Sequence, residues 1–140
     1  MCGMDEAAVA ALRDLYSDLQ IDGRVLDLCG TTADRFEFPP DALVPFDGDR
    51  SLLPFDDEEF DDVICHGPLN QETFAQVARV LKPGGHFICT FIGGADDAGR
   101  VKTLRKWFAE QPLFGPAESD LRTPLTRAGD RLWAVWAPKI

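Results

Sequence analysis

The fold is decided by the stretch Val77-Ala78-Arg79-Val80-Leu81-Lys82-Pro83-Gly84-Gly85. Apolar side chains recur at helical spacing before and within it, which predicts an amphipathic helix over residues 72–81. Pro83-Gly84-Gly85 then ends the helix, because proline lacks an amide hydrogen and glycine tolerates the turn. The mainly apolar run 86–91 follows at once and predicts a strand. The stretch is therefore a helix that leads through a tight turn into a central strand.

The same alternation extends in both directions along the chain. The pattern predicts a helix over residues 5–19 and strands over 24–29 and 62–65 upstream, and a helix over 97–110 and strands over 116–121 and 132–136 downstream. The last two strands flank the turn signal Ala128-Gly129-Asp130, so we expect them to form an antiparallel pair. Trp133 and Trp136 should then lie on opposite faces of the last strand. Strands that alternate with helices are typical of a mostly parallel α/β sheet.

Size and composition predict one acidic domain. The chain has 140 residues, 45% of them hydrophobic, and we expect a single domain with an N-terminal helix in residues 1–22 and an α/β core in residues 23–140. The formal charge of −10 disfavours nucleic acid and anionic membranes as partners, because both are negatively charged. No apolar run approaches the roughly 20 residues of a membrane helix, and the first residues do not read as a signal peptide. We therefore expect a soluble, cytoplasmic protein.

Two motifs resemble those of one enzyme family. The first runs from Gly48-Asp49 through Leu53-Pro54-Phe55 to Phe60-Asp61, and the second is Leu81-Lys82-Pro83-Gly84-Gly85. Both are similar to motifs of class I S-adenosylmethionine-dependent methyltransferases, in a methyltransferase type 11-like form. The resemblance covers residues 24–140 and is strongest over residues 48–91. It implies a reduced Rossmann-like α/β fold, a mostly parallel sheet of about five strands with a C-terminal antiparallel hairpin.

The resemblance also implies which residues bind S-adenosylmethionine. Asp27 lies in the first strand, and Gly30 is the single glycine of a loop in which the family has several. Asp49 matches the acid that contacts the adenine amino group, and Leu53 matches an apolar residue that flanks the ring. The full predicted set is Asp27, Gly30, Asp47, Asp49, Leu53 and Cys65.

The interval between Ala33 and Gly48 is short for this family. It holds residues 34–47, whereas one strand–helix–strand unit needs roughly 30 residues, so we expect at least one strand to be missing. Residues 42–46 could form a remnant strand that offers Asp47 to a ribose, although Pro45 argues against a central strand there. If the strands are missing, the first strand becomes an exposed edge, and a homodimer or a partner subunit could pair with it.

Three site assignments have simpler alternatives. The alternative for Asp49 is a surface carboxylate, because a sequence such as Asp47-Gly48-Asp49 is common in turns. His66 follows the carboxyl end of a strand, where ligands bind in open α/β sheets, so it is the candidate catalytic base; the alternative is a plain loop histidine. Cys29, Cys65 and Cys89 would lie near strand ends and could form a Cys3His metal set with His66. Their spacing matches no short ligand motif, so we predict buried core cysteines and no metal.

Two functions follow from these observations. The first is a methyltransferase that moves a methyl group from S-adenosylmethionine to a small-molecule or protein substrate. The second is a catalytically inactive relative that keeps the scaffold as a binding or assembly module, because the site is the weakest part of the match.

Overall fold

The computed structural model describes residues 6–21, 23–28, 40–46, 52–66, 70–93, 98–122 and 131–140. These residues form three helices and six strands. In chain order they are α1 (Glu6–Asp18), β1 (Arg24–Asp27), β2 (Ala42–Pro45), β3 (Phe60–His66), α2 (Gln71–Val80), β4 (Leu81–Gly93), α3 (Ala98–Glu110), β5 (Glu118–Arg122) and β6 (Arg131–Pro138). Among them, no helix is both long enough and apolar enough to cross a membrane.

All six strands belong to one sheet with the order β2-β1-β3-β4-β6-β5. β2, β1, β3 and β4 run parallel to one another, whereas β6 pairs antiparallel with both β4 and β5. The predicted fold class, a mostly parallel Rossmann-like sheet with a C-terminal antiparallel pair, is therefore confirmed, with six strands where about five were expected. The turn signal at residues 128–130, between the last two strands, lies outside the described residues.

The edge of the sheet differs from the expectation. β1 pairs with β2, so the inference of an exposed first strand is wrong, and β2 is the last parallel strand on this side among the residues described. The amides of Ala42 and Phe46 donate to the carbonyls of Gly23 and Asp27, at 3.3 and 2.8 Å. Because alternate residues of a strand face the same neighbour, the nitrogen of Pro45 points away from β1, and its missing hydrogen leaves the pairing intact. Pro45 excludes a central strand, as expected, but permits this edge strand.

The two faces of the sheet are covered by different helices. α2 and α3 pack on one face through Phe74, Val77, Leu104 and Phe108, together with Phe87 of β4; we call this layer the α2–α3 core. α1 packs on the other face through Leu12, Leu15 and Tyr16, against Val25, Ile64 and Ile88; we call this layer the α1 core. Trp133 contacts the α2–α3 core and Trp136 the α1 core, so the prediction of opposite faces is confirmed.

The helix ends before Pro83-Gly84-Gly85, and these residues lie in the first part of β4, where the backbone of β3 approaches closely. α2 begins at the cap Asn70, whose side chain accepts from the Thr73 amide, and it ends at Val80. Gly84 has a φ of +88°, in the region that favours glycine. A Cβ on Gly85 would lie 2.2 Å from the carbonyl oxygen of Asp61 in β3. Glycine at position 85 therefore lets β3 and β4 approach at the start of their pairing.

Candidate functional site

The candidate site lies at the carboxyl ends of the parallel strands. From β1 the chain passes to β2 on one side and then returns to β3 on the other side. Such a reversal opens a crevice beyond the strand ends, where open α/β sheets bind their ligands. The crevice here lies past Asp27 of β1 and His66 of β3, and the strands stay paired up to its rim, since the Leu28 amide donates to the Ile64 carbonyl at 3.0 Å.

Buried polar side chains gather at this rim. Asp27 is 1% exposed, His66 8% and Thr90 1%. They come from three adjacent strands, and side-chain alternation places all three on the α1 face, since each lies two residues beyond a member of the α1 core. Burying polar groups costs free energy unless they are hydrogen-bonded. A group of three at one strand edge therefore indicates a functional site better than a packing requirement does.

His66 is held by the neighbouring strand. Its Nδ1 lies 2.8 Å from the Thr90 hydroxyl oxygen, and that hydroxyl lies 3.4 Å from the Cys65 carbonyl oxygen, to which it can donate. If the hydroxyl donates to the carbonyl, it accepts from Nδ1–H, and this tautomer makes Nε2 the basic nitrogen. His66 is thus a strand residue in a defined orientation rather than a plain loop histidine.

The segment that carries the apolar part of the first motif packs along the sheet, from the end of β2 toward the start of β3. Leu53 is 2% exposed and belongs to the α2–α3 core. Phe55 makes edge contacts with Phe46, just beyond β2, and with Phe60 of β3, at ring-centroid distances of 5.6 and 5.1 Å. The predicted ring-flanking residues therefore form part of an aromatic wall between the ends of β2 and the start of β3.

α2 fixes this segment through two polar side chains. Nη1 of Arg79 donates to the Phe55 carbonyl at 2.7 Å and to Asp57 at 2.9 Å, and Nη2 donates to the Leu53 carbonyl at 2.7 Å. The Oε1 atom of Gln76 accepts from the Leu53 amide and from Arg79 Nη2, both at 3.2 Å. The Arg79 carbonyl in turn accepts from the Glu58 amide at 2.9 Å. We call Arg79 and Gln76 the α2 clamp.

Half of the predicted cofactor set can be located. Asp27, Leu53 and Cys65 lie at or near the strand ends as expected, but the side chains of Leu53 and Cys65 are packed in the α2–α3 core. Gly30, Asp47 and Asp49 lie outside the described residues, so their predicted roles remain predictions. Thr90, Gln76 and Arg79 were missed. For Thr90 a signal existed, since it is the one hydroxyl side chain in β4.

The cysteines that the structure describes are core residues. Cys65 and Cys89 are register partners on β3 and β4, and both are free and buried. Burial raises the pKa of the Cys89 thiol well above its ordinary value. Across the described part of the chain, no group of three or more His, Cys, Asp or Glu side chains could hold a metal ion. Cys29, the remaining member of the set considered above, lies outside that part.

Known methyltransferases are similar to this chain over part of its sequence. The chain is 40% identical over 52 residues to sterol methyltransferase-like 1 of Botryococcus braunii, which is 34% of this chain and 13% of that protein. It is 42% identical over 46 residues to 24-methylenesterol C-methyltransferase 2 of Arabidopsis thaliana, which is 29% of this chain and 13% of that protein. The matched region therefore spans only a small part of each relative.

Solved structures share the whole architecture. An S-adenosylmethionine-dependent methyltransferase from Thermotoga maritima superposes with a TM-score of 0.67 at 14% identity, over 95% of this chain and 89% of the other. The 1,6-didemethyltoxoflavin-N1-methyltransferase of Burkholderia thailandensis, solved with S-adenosylhomocysteine, gives 0.66 at 16% identity, over 96% and 79%. At such identities the likeness shows the fold alone. The methyltransferase domain family itself matches residues 19–89, about half of the 140. The chain therefore belongs to the methyltransferase domain family, within the class I S-adenosylmethionine-dependent methyltransferases.

Proposed function

We propose that this chain binds S-adenosylmethionine in the crevice beyond β1, β2 and β3 and transfers its methyl group to an acceptor. The observation that carries the proposal is the buried carboxylate of Asp27 at the point where the strand order reverses. Ligands of open α/β sheets bind at such a reversal of strand order, and in this family Asp27 matches a cofactor-binding position. Several solved neighbours are named as methyltransferases in complex with S-adenosylhomocysteine.

The residues at the crevice fit such a cofactor. The acidic group of Asp27 suits the cationic part of the molecule, and the wall of Phe46 and Phe55 offers an apolar surface close to the segment in which the adenine would lie. Asp49 would accept from the adenine amino group, and Asp47 from the ribose hydroxyls. When bound, S-adenosylmethionine supplies an electrophilic methyl group on a sulfonium. The chain's own contribution is then mainly to position the acceptor against that group.

His66 gives the site a base. Because Thr90 contacts the ring at Nδ1, Nε2 would accept the proton that an acceptor hydroxyl or amine loses when it receives the methyl group. This role makes the active methyltransferase a better proposal than an inactive scaffold. A scaffold without chemistry has no need to hold a buried imidazole at the ligand end of the sheet.

Titration calorimetry with S-adenosylmethionine and S-adenosylhomocysteine tests the proposal. We expect micromolar binding of both, and we expect Asp49→Ala to weaken it by about tenfold or more, the loss of a charge-assisted hydrogen bond. Asp14→Ala is the control. It removes an acid that is exposed on α1, so affinity should stay unchanged. No binding at millimolar ligand would refute the proposal.

A further inference from the structure

An aromatic pair lies at the carboxyl end of β4, one residue beyond the threonine that contacts His66. Phe91 of β4 and Trp133 of β6 are register partners, and their rings stack at a centroid distance of 6.1 Å and an interplanar angle of 8°. Nε1 of Trp133 donates to the carbonyl of Gly93, the last residue of β4, at 3.1 Å. Phe91 is 2% exposed, whereas Trp133 is only partly buried. We call these two rings the β4–β6 stack.

A guanidinium is seated on this stack. Cζ of Arg100, near the start of α3, lies 4.0 Å from the centroid of the Phe91 ring. A guanidinium that stacks through its flat face keeps its N–H donors free in the plane, where they can hold a carboxylate or a phosphate by two parallel hydrogen bonds. The side chain is exposed, so a ligand can reach these donors. The contact with the ring also restrains the side chain before a ligand arrives, which lowers the entropy cost of binding.

The charge of the chain makes this position significant. At the opposite end of the sheet, Arg24 and Lys82 pair with Glu59 and Asp61, at 2.8 and 3.3 Å. No carboxylate among the residues that the structure describes pairs with Arg100. The whole chain carries a formal charge of −10, which repels an anion unless a local cation attracts it. A guanidinium that only kept the surface soluble could lie anywhere, whereas this one lies at the end of the sheet where ligands bind.

We propose that Arg100, seated on the β4–β6 stack, binds an anionic group of the methyl acceptor, a carboxylate or a phosphate. The inference rests on the function proposed above, in which His66 takes the proton of the acceptor. Thr90 contacts His66 and the next residue, Phe91, contacts Arg100. Neighbouring residues of a strand point to opposite faces, so the imidazole and the guanidinium flank the end of β4.

This arrangement indicates the class of acceptor. A molecule that lies across the end of β4 can present a hydroxyl or amine to His66 and an anionic group to Arg100. A hydroxy acid or an amino acid has both groups on one small frame, as does the corresponding phosphate ester. The partly exposed indole of Trp133 adds a flat apolar surface beside the anion. We therefore choose aromatic probes that carry both groups.

Calorimetry with matched probes tests the proposal. The chain is saturated with S-adenosylhomocysteine and titrated with 4-hydroxybenzoate, with 4-hydroxyphenyl phosphate and with the neutral 4-hydroxybenzamide. We expect at least one anionic probe to bind about tenfold or more tightly than the amide, the effect of a charge-assisted hydrogen-bond pair. The tighter of the two anions identifies which anionic group the site takes. In Arg100→Met the preference for the anion should fall to within about twofold.

Two further variants make the result specific to this guanidinium. Arg100→Lys keeps the charge but loses the planar fork, so it should retain part of the preference. Lys102→Met is the matched control, because it removes one positive charge from an exposed position of the same helix. Its preference for the anion should equal that of the native chain. The affinity for S-adenosylhomocysteine should be native-like in all three variants, which also shows that they fold.

The outcomes separate this inference from the proposed function. A native-like preference in Arg100→Met, or a native chain that does not prefer either anion, would overturn the role of Arg100 while binding of S-adenosylhomocysteine still supports the proposed function. An equal loss in Lys102→Met would assign the effect to overall charge and would also overturn it. Failure of the native chain to bind S-adenosylhomocysteine would overturn the proposed function, and this inference with it.

Discussion

Gly85→Ala should be among the most destabilising single-methyl changes in this protein. The added Cβ would lie 2.2 Å from the Asp61 carbonyl oxygen, 3.1 Å from the carbonyl carbon and 3.1 Å from a Leu81 methyl group. Ordinary contact begins near 3.4 Å, so β3 and β4 would have to separate by about 1 Å. The obstacle is backbone in a paired strand, which cannot rotate away as a side chain can.

The magnitude follows from that geometry. Overpacking that side chains can relieve costs roughly 1–3 kcal/mol, and a backbone obstacle places this change at the upper end, about 3 kcal/mol. For a chain of this size that loss lowers the melting temperature by roughly 10 °C. Two glycines supply graded controls. Gly84→Ala meets no neighbour but must keep a φ of +88°, which costs about 1–2 kcal/mol. Gly99→Ala, in α3 with open space around it, should stabilise by up to about 1 kcal/mol.

Urea unfolding followed by tryptophan fluorescence measures all three changes. The comparison is valid if the slopes with denaturant agree, because a changed slope would signal a different unfolded or native state. The expected order of stability is Gly99→Ala, native, Gly84→Ala, Gly85→Ala. The reasoning would be refuted if Gly85→Ala unfolded within about 1 kcal/mol of the native chain.

Two further predictions concern the pH dependence of the stability and the reactivity of the buried cysteines. The pKa of Asp61 is held below its ordinary value, first by the hydrogen bond from the Arg24 amide and then by Lys82. Its stabilisation is therefore present above the unfolded-state pKa and is lost as pH falls through the lower folded-state pKa. In urea unfolding, Asp61→Asn should cost most near neutral pH and progressively less as the pH falls below the unfolded-state pKa toward the folded-state pKa. A loss of stability that does not change with pH would contradict this. In a variant with Cys2 and Cys29 replaced by serine, the two buried thiols should react with Ellman's reagent only as the protein unfolds. Rapid labelling of the native chain would argue against their burial.

The sequence predicted most of the fold because the relevant signals are local. Apolar runs gave β3 and β4, helical spacing gave α2, and the boundaries were wrong by only a few residues. The edge strand was harder, since a proline is excluded from a strand only when its nitrogen faces a partner, and Pro45 faces outward. That direction depends on the register with β1, which is a property of the folded sheet.

The candidate site was predictable only in part, for a related reason. Asp27 and His66 could be placed from strand ends alone. Thr90 became significant only when β3 and β4 paired in register and brought its hydroxyl to the imidazole. Arg79 binds mainly backbone carbonyls that lie 24 and 26 residues away in the chain. Every residue has a backbone carbonyl, so the sequence does not show which carbonyls accept from Arg79.

Fluorescence from the two tryptophans of β6 can report separately on the two faces of the sheet. Trp133 stacks on Phe91 within the layer that carries the α2 clamp, whereas Trp136 faces the layer that α1 closes. With Trp107 and one of these replaced by phenylalanine, the emission of the remaining indole reports on a single layer. Emission from Trp136 would follow the docking of α1, and emission from Trp133 the assembly of the opposite side. Comparing the two time courses after dilution from urea would show which layer of this sheet assembles first.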